Sequence, residues 1–148
     1  MFVVIRCVLG LLFVISGGEK LLSPTENFLY VIDSYQMLPR PLEQAVAVVF
    51  PWLEVMTGVF ILSGLWLRQA LATLLLISAS LMVIVGQAIV RKLPLDNCGC
   101  FGELIHLPLR GVILVDLSVF VLALLCLFNI RKTARFSLDG FYAGQEKV

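Results

Sequence analysis

Charge is scarce in this chain. Eleven Lys or Arg and ten Asp or Glu are spread over 148 residues that are 60% hydrophobic. Mean hydropathy is +1.02. So little polar surface cannot cover a water-facing exterior, which excludes an ordinary soluble domain. The net charge of +1 lacks the basic footprint of a nucleic-acid binder, so no nucleic-acid partner is expected. Histidine occurs once, as His106, and cysteine four times. No internal repeat or low-complexity segment is present. At this length the chain makes one domain.

What is abundant is long apolar runs. Phe2 to Gly18 is apolar apart from Arg6 and Ser16, and the pattern continues through Leu21 and Leu22. Ala45 to Leu67 carries one charge, Glu54; Ala70 to Val90 is 21 residues with none; Gly111 to Ile130 is 20 residues with one, Asp116. A hydrocarbon core of about 30 Å needs roughly 20 helical residues, so each run can span. None alternates in polarity as barrel strands do, and backbone groups in lipid must pair within their own segment. The expectation is an all-α polytopic membrane protein, a bundle of four transmembrane helices at about 2–22, 43–67, 69–90 and 111–130. The first run is read as a retained helix, since "ISGGEKLL" offers no Ala-x-Ala cleavage pattern. The polar tail 131–148 is short and, by its composition, expected to be loosely ordered.

Charge does not orient this bundle. Four spans put both termini on one side, with Arg6, Arg68, Arg131, Lys132, Arg135 and Lys147 there and Lys20, Arg40, Arg91, Lys92 and Arg110 opposite. Arg131, Lys132 and Arg135, clustered after the last span, lean toward a cytoplasmic tail. Trp52 and Trp66 stand about 21 Å apart along the second span, near the two interfaces, and Arg6 is expected to snorkel to the cytoplasmic one.

Between the first two spans, "SPTE" at Ser23 to Glu26 reads as a helix start, with Ser23 as N-cap, Pro24 at the first helical position and Glu26 closing a capping box. Phe28, Ile32 and Tyr35 follow at helical spacing and Pro39 ends the element. A short helix is expected, lying in the interface or packed on the bundle end.

Ionisable groups inside spans are costly and point to function. Glu19 and Lys20 end the first span, Glu54 sits on the second after Pro51, Gln87 lies one turn before the end of the third, and Asp116 near the start of the fourth. All five fall in the same half of the bundle. The plainer reading is that Lys20 pairs with Glu54 or Asp116 and fixes helix packing. The sharper one is a polar pocket able to take up or release a proton beside a redox centre.

That centre would lie in "PLDNCGCFGELIHLPLR", within a connection at 91–110 that is longer than compact helix pairs need. A disulfide between Cys98 and Cys100 closes too small a loop to act as a staple. Residues at this spacing can meet, with strain, and Gly99 gives the backbone freedom. Strained, exposed disulfides are the exchange-active kind. Two rivals stay open. Cys98, Cys100 and His106 could hold a soft metal, although three ligands leave a closed zinc site incomplete. The loop could instead only dock a partner. Cys7 and Cys126 lie within spans and read as small hydrophobes.

Several stretches resemble a known family: "FVISGGEKLLSP", "FLYVIDSYQMLPRPL", "FPWLEVMTGVFILSGLWLR", and "DNCGCFGEL" before the acid-bearing "ILVDLSVFVLAL". The chain resembles the DoxX-like superfamily and, within it, the methylamine utilisation protein MauE group, over roughly residues 6–128. The resemblance implies a four-helix protein of the bacterial inner membrane with Cys98-Gly99-Cys100 facing the periplasm and the termini in the cytoplasm. It also implies a part in maturing methylamine dehydrogenase, whose small subunit is rich in disulfides, alongside a membrane-anchored thioredoxin-like protein.

The expected function is therefore thiol–disulfide exchange through Cys98 and Cys100 during maturation of a periplasmic partner such as a dehydrogenase subunit. Lys20, Glu54, Asp116, Glu19 and Gln87 form the supporting pocket. The different-class alternative is a scaffold or metal-binding assembly factor that holds a thioredoxin-like protein at the membrane lipid. A looser likeness to the vitamin K epoxide reductase bundle raises quinone as an electron acceptor by analogy alone. The chain lacks that pattern's Cys-x-x-Cys and its second outer cysteine pair.

Overall fold

The computed structural model describes residues 2–35, 39–91 and 109–133. Among these residues every regular element is helical. The elements are α1 (Phe2–Leu22), α2 (Thr25–Ser34), α3 (Arg40–Ser63), α4 (Leu67–Val90), α5 (Leu109–Phe128) and the single turn α6 (Ile130–Thr133). Four stretches, Phe2–Leu22, Arg40–Ser63, Leu67–Val90 and Gly111–Phe128, are long and apolar enough to cross a membrane. The expected all-α, four-span class is the observed one.

The outer faces explain that apolarity. Val4, Val8, Leu11 and Ile15 recur every three or four residues along α1 and are exposed, as are Leu114, Leu117, Val121 and Leu125 along α5. Such stripes match a hydrocarbon solvent rather than water. Hydroxyls on these faces are satisfied by their own helix. Ser80 donates to the Leu76 carbonyl at 2.8 Å and Ser118 to that of Leu114 at 2.7 Å.

Helices in lipid gain little by hiding apolar surface from one another, so close packing must hold them. The antiparallel pair α1 and α3 shows how. A Cβ on Gly58 would fall 2.7 Å from the carbonyl oxygen of Gly10, and one on Gly10 would fall 3.0 Å from that of Gly58. About two turns further along, a Cβ on Gly17 would fall 2.8 Å from the carbonyl oxygen of Pro51. Leu9, Phe13, Ile61, Leu71, Leu74, Val119 and Ala123 form the core between this pair and α4 and α5. A second cluster joins Tyr35 to Val85, Ala88 and Val112, with Val31 packed against it. Thus α2 lies across the bundle end where α4 finishes and α5 begins.

Three local expectations need correcting. Ser23 does not cap α2: its N–H bonds the Glu19 carbonyl at 2.9 Å and its hydroxyl the Glu19 carboxylate at 3.3 Å, so it still winds with α1, and Pro24 is the N-cap. The turn between α3 and α4 falls at 64–66, because Gly64 ends α3 in the left-handed region at φ 70° and Trp66 follows at φ 47°. Trp66 therefore caps α4 rather than riding on the second span. Arg6 does not snorkel. It is 3% exposed and donates to the Thr133 carbonyl at 3.2 Å and the Leu62 carbonyl at 3.5 Å. Those carbonyls belong to the last turns of α6 and α3, where intrahelical donors run out and positive charge is favoured.

Candidate functional site

Lys20 occupies the last turn of α1 and points inward. Its Nζ stands 2.7 Å from Glu54 Oε2, with the two side chains 2% and 4% exposed. The ammonium also donates to the Ser16 hydroxyl at 3.3 Å, one turn back. Above it lie two rings, Phe28 of α2 at 5.3 Å and Phe50 of α3 at 5.5 Å from Nζ to centroid. Those rings stack on each other at 6.1 Å. Helical spacing aligns two of these groups: Ser16 is four residues before Lys20 on α1, and Phe50 is four before Glu54 on α3.

Pro51 sits inside α3 beside this pair and is buried. Lacking an N–H, it cannot bond the carbonyl of Ala47, which loosens the ladder one turn from Glu54. Gly17 fits against Pro51 because it has no side chain. Small residues on both helices therefore let Lys20 reach across a short gap.

Asp116, on α5, is also buried, at 7% exposure. It lies within electrostatic reach of Glu54 first and Lys20 second. Its Oδ2 has no hydrogen-bond partner among the described residues. The structure thus gathers Lys20, Glu54 and Asp116. The other two expected members stand apart from this contact: Glu19 is half-buried and accepts from Ser23, and Gln87 is half-buried with no side-chain hydrogen bond among the described residues. Sequence reasoning missed the aromatic cover. The signal was Phe28 on the apolar side of the short helix, but its target is set by tertiary packing.

Cys98, Cys100 and His106 lie outside the described residues, as do residues 92–108 of the expected 91–110 connection. Among the described residues, no group of three or more His, Cys, Asp or Glu is placed to hold a metal ion. Cys7 is exposed on the outer face of α1, and Cys126 is buried in the core.

A family description, methylamine utilisation protein MauE, matches residues 1–129. The chain belongs to the MauE family. This MauE-family protein is a multi-pass membrane protein by that membership and by its four spans. It is also similar to Protein TlpB of Flavobacterium psychrophilum, with 27% identity over 139 residues. That match covers 87% of this chain and 37% of the relative, so the MauE-family chain spans little more than a third of TlpB. No solved structure matches it.

Proposed function

We propose that this protein exchanges thiols and disulfides through Cys98 and Cys100 on the periplasmic side of the bacterial inner membrane, assisting the maturation of a periplasmic partner. The observation that carries this reading is the Cys98-Gly99-Cys100 spacing in the connection between α4 and α5 of a MauE-family chain. That connection leaves the bundle at the end where Lys20, Glu54 and Asp116 gather, since α1 and α4 both finish there. The likeness to the DoxX-like superfamily supports the same orientation, with the tail 131–148 cytoplasmic.

The chemistry balances within the two proteins. A thiolate of the partner attacks one sulfur of the Cys98–Cys100 disulfide, forming a mixed disulfide and expelling the other cysteine as thiolate. The partner's second thiolate then displaces the first cysteine. The partner leaves oxidised, and Cys98 and Cys100 remain as thiols. The reverse sequence reduces a partner disulfide, and the relative potentials set the direction. A thioredoxin-like protein and a dehydrogenase subunit are both partners of the right chemistry. The greater part of TlpB lies outside its match to this chain, which supports a four-helix unit working beside further protein.

A single Cys98→Ser or Cys100→Ser variant keeps one thiol, which attacks a partner disulfide and has no neighbouring cysteine to release the mixed disulfide that forms. Each variant is expected to accumulate a reductant-sensitive adduct with its partner, read as a shifted band on non-reducing gels. If neither does, yet partner maturation still depends on the protein, the scaffold reading replaces exchange.

A further inference from the structure

At the bundle end described above, two buried carboxylates, Glu54 and Asp116, share one cation in reach of both, Lys20. Lys20 is committed to Glu54 at 2.7 Å, to the Ser16 hydroxyl at 3.3 Å and to the faces of Phe28 and Phe50. These contacts place its ammonium on Glu54 rather than on Asp116. The Asp116 carboxyl is nine-tenths buried and faces this pair with Oδ2 unpartnered among the described residues.

Other charged groups on the packed elements stand elsewhere. On α1, Glu19 accepts from Ser23, and Arg6 lies at the opposite end on the Thr133 and Leu62 carbonyls. On α4, Arg68 and Arg91 are exposed at its two ends. On α3, Arg40 is exposed and Glu43 is buried roughly three turns before Glu54, and on α2 Glu26 and Asp33 are exposed. On α6, Lys132 faces the ring of Phe2. Among the described side chains, then, Lys20 alone acts as a counter-charge for two acids.

With both acids ionised, this cluster holds one negative charge in excess in a place that water does not cover. Burial makes such a charge unfavourable unless a positive ligand joins it. A proton is the ligand that needs no cavity. It turns one acid into an O–H donor while Lys20 balances the other, and two interacting carboxyls then titrate as a unit.

We propose that Asp116 and Glu54, held by Lys20, form a binding site for one exchangeable proton at the end of the bundle where α1 and α4 finish. The site stands on the geometry of the spans and does not depend on the thiol reading.

Infrared titration of the purified protein in lipid nanodiscs tests it. The expected result is a carboxylic-acid carbonyl band that grows on acidification, moves in heavy water and is lost in Asp116→Asn. The same band is expected in a Cys98→Ser, Cys100→Ser double variant, which keeps this outcome separate from thiol exchange. Should Asp116→Asn fail to fold, Asp116→Glu retains an acid and is expected to move the band without removing it. A band that survives Asp116→Asn unchanged overturns the proposal. So does the absence of any such band in the wild type wherever the fold persists. A band abolished by sodium ions at fixed pH also overturns it, because the ligand would then be a metal cation.

Discussion

Lys20 and Glu54 face each other at 2.7 Å across the α1–α3 contact, with side chains only 2% and 4% exposed. An ion pair removed from water this far gains little over an apolar pair of equal volume, but losing one partner leaves a charge stranded. Lys20→Met, which removes the counter-charge shared by Glu54 and Asp116, is therefore expected to cost about 3–5 kcal/mol of stability, less where water or a proton enters. Lys20→Met with Glu54→Leu is expected to recover most of it. Unfolding of the single and double variants in one detergent checks this. Equal losses in both would mean that the pair itself, rather than the stranded charge, carries the stability.

The α1–α3 contact makes a separate prediction. In Gly58→Ala the new Cβ lands 2.7 Å from the backbone oxygen of Gly10, so the helices must part. The expected cost is about 1–3 kcal/mol. Gly18 and Gly86 are helical glycines with nothing within 4 Å of an added Cβ. There Ala is expected to be neutral or to gain up to about 1 kcal/mol. Melting temperatures of the three variants decide it, and the prediction fails if Gly18→Ala or Gly86→Ala loses as much as Gly58→Ala.

Phe28 ties the short helix to the buried ammonium. Phe28→Leu keeps an apolar cover but removes the ring face that attracts Lys20. A double-mutant cycle with Lys20→Met is expected to show a coupling of about 1 kcal/mol. No coupling would reduce Phe28 to a packing residue of α2.

Much of this was legible in the chain. The four spans follow from runs in which a charge is absent or single, because lipid imposes that pattern on every turn. Lys20, Glu54 and Asp116 stood out for the same reason, as rare charges inside such runs. The α3–α4 turn was misplaced because Leu65, Trp66 and Leu67 keep the sequence apolar past Gly64, whose backbone conformation ends the helix. Ser23 looked like a cap until the last turn of α1 claimed both its N–H and its hydroxyl. Arg6 is pulled inward by carbonyls from Leu62 and Thr133, which are 56 and 127 residues away in the chain. Contacts of that range leave no local trace.

The most direct test is thiol accessibility in intact spheroplasts, with Cys7→Ser and Cys126→Ala removing the two membrane-embedded thiols. A membrane-impermeant maleimide is expected to leave Cys98 and Cys100 unlabelled before mild reduction and to label both after it, without permeabilisation. Labelling that appears only once the membrane is opened, or that reductant leaves unchanged, contradicts an outward-facing redox pair.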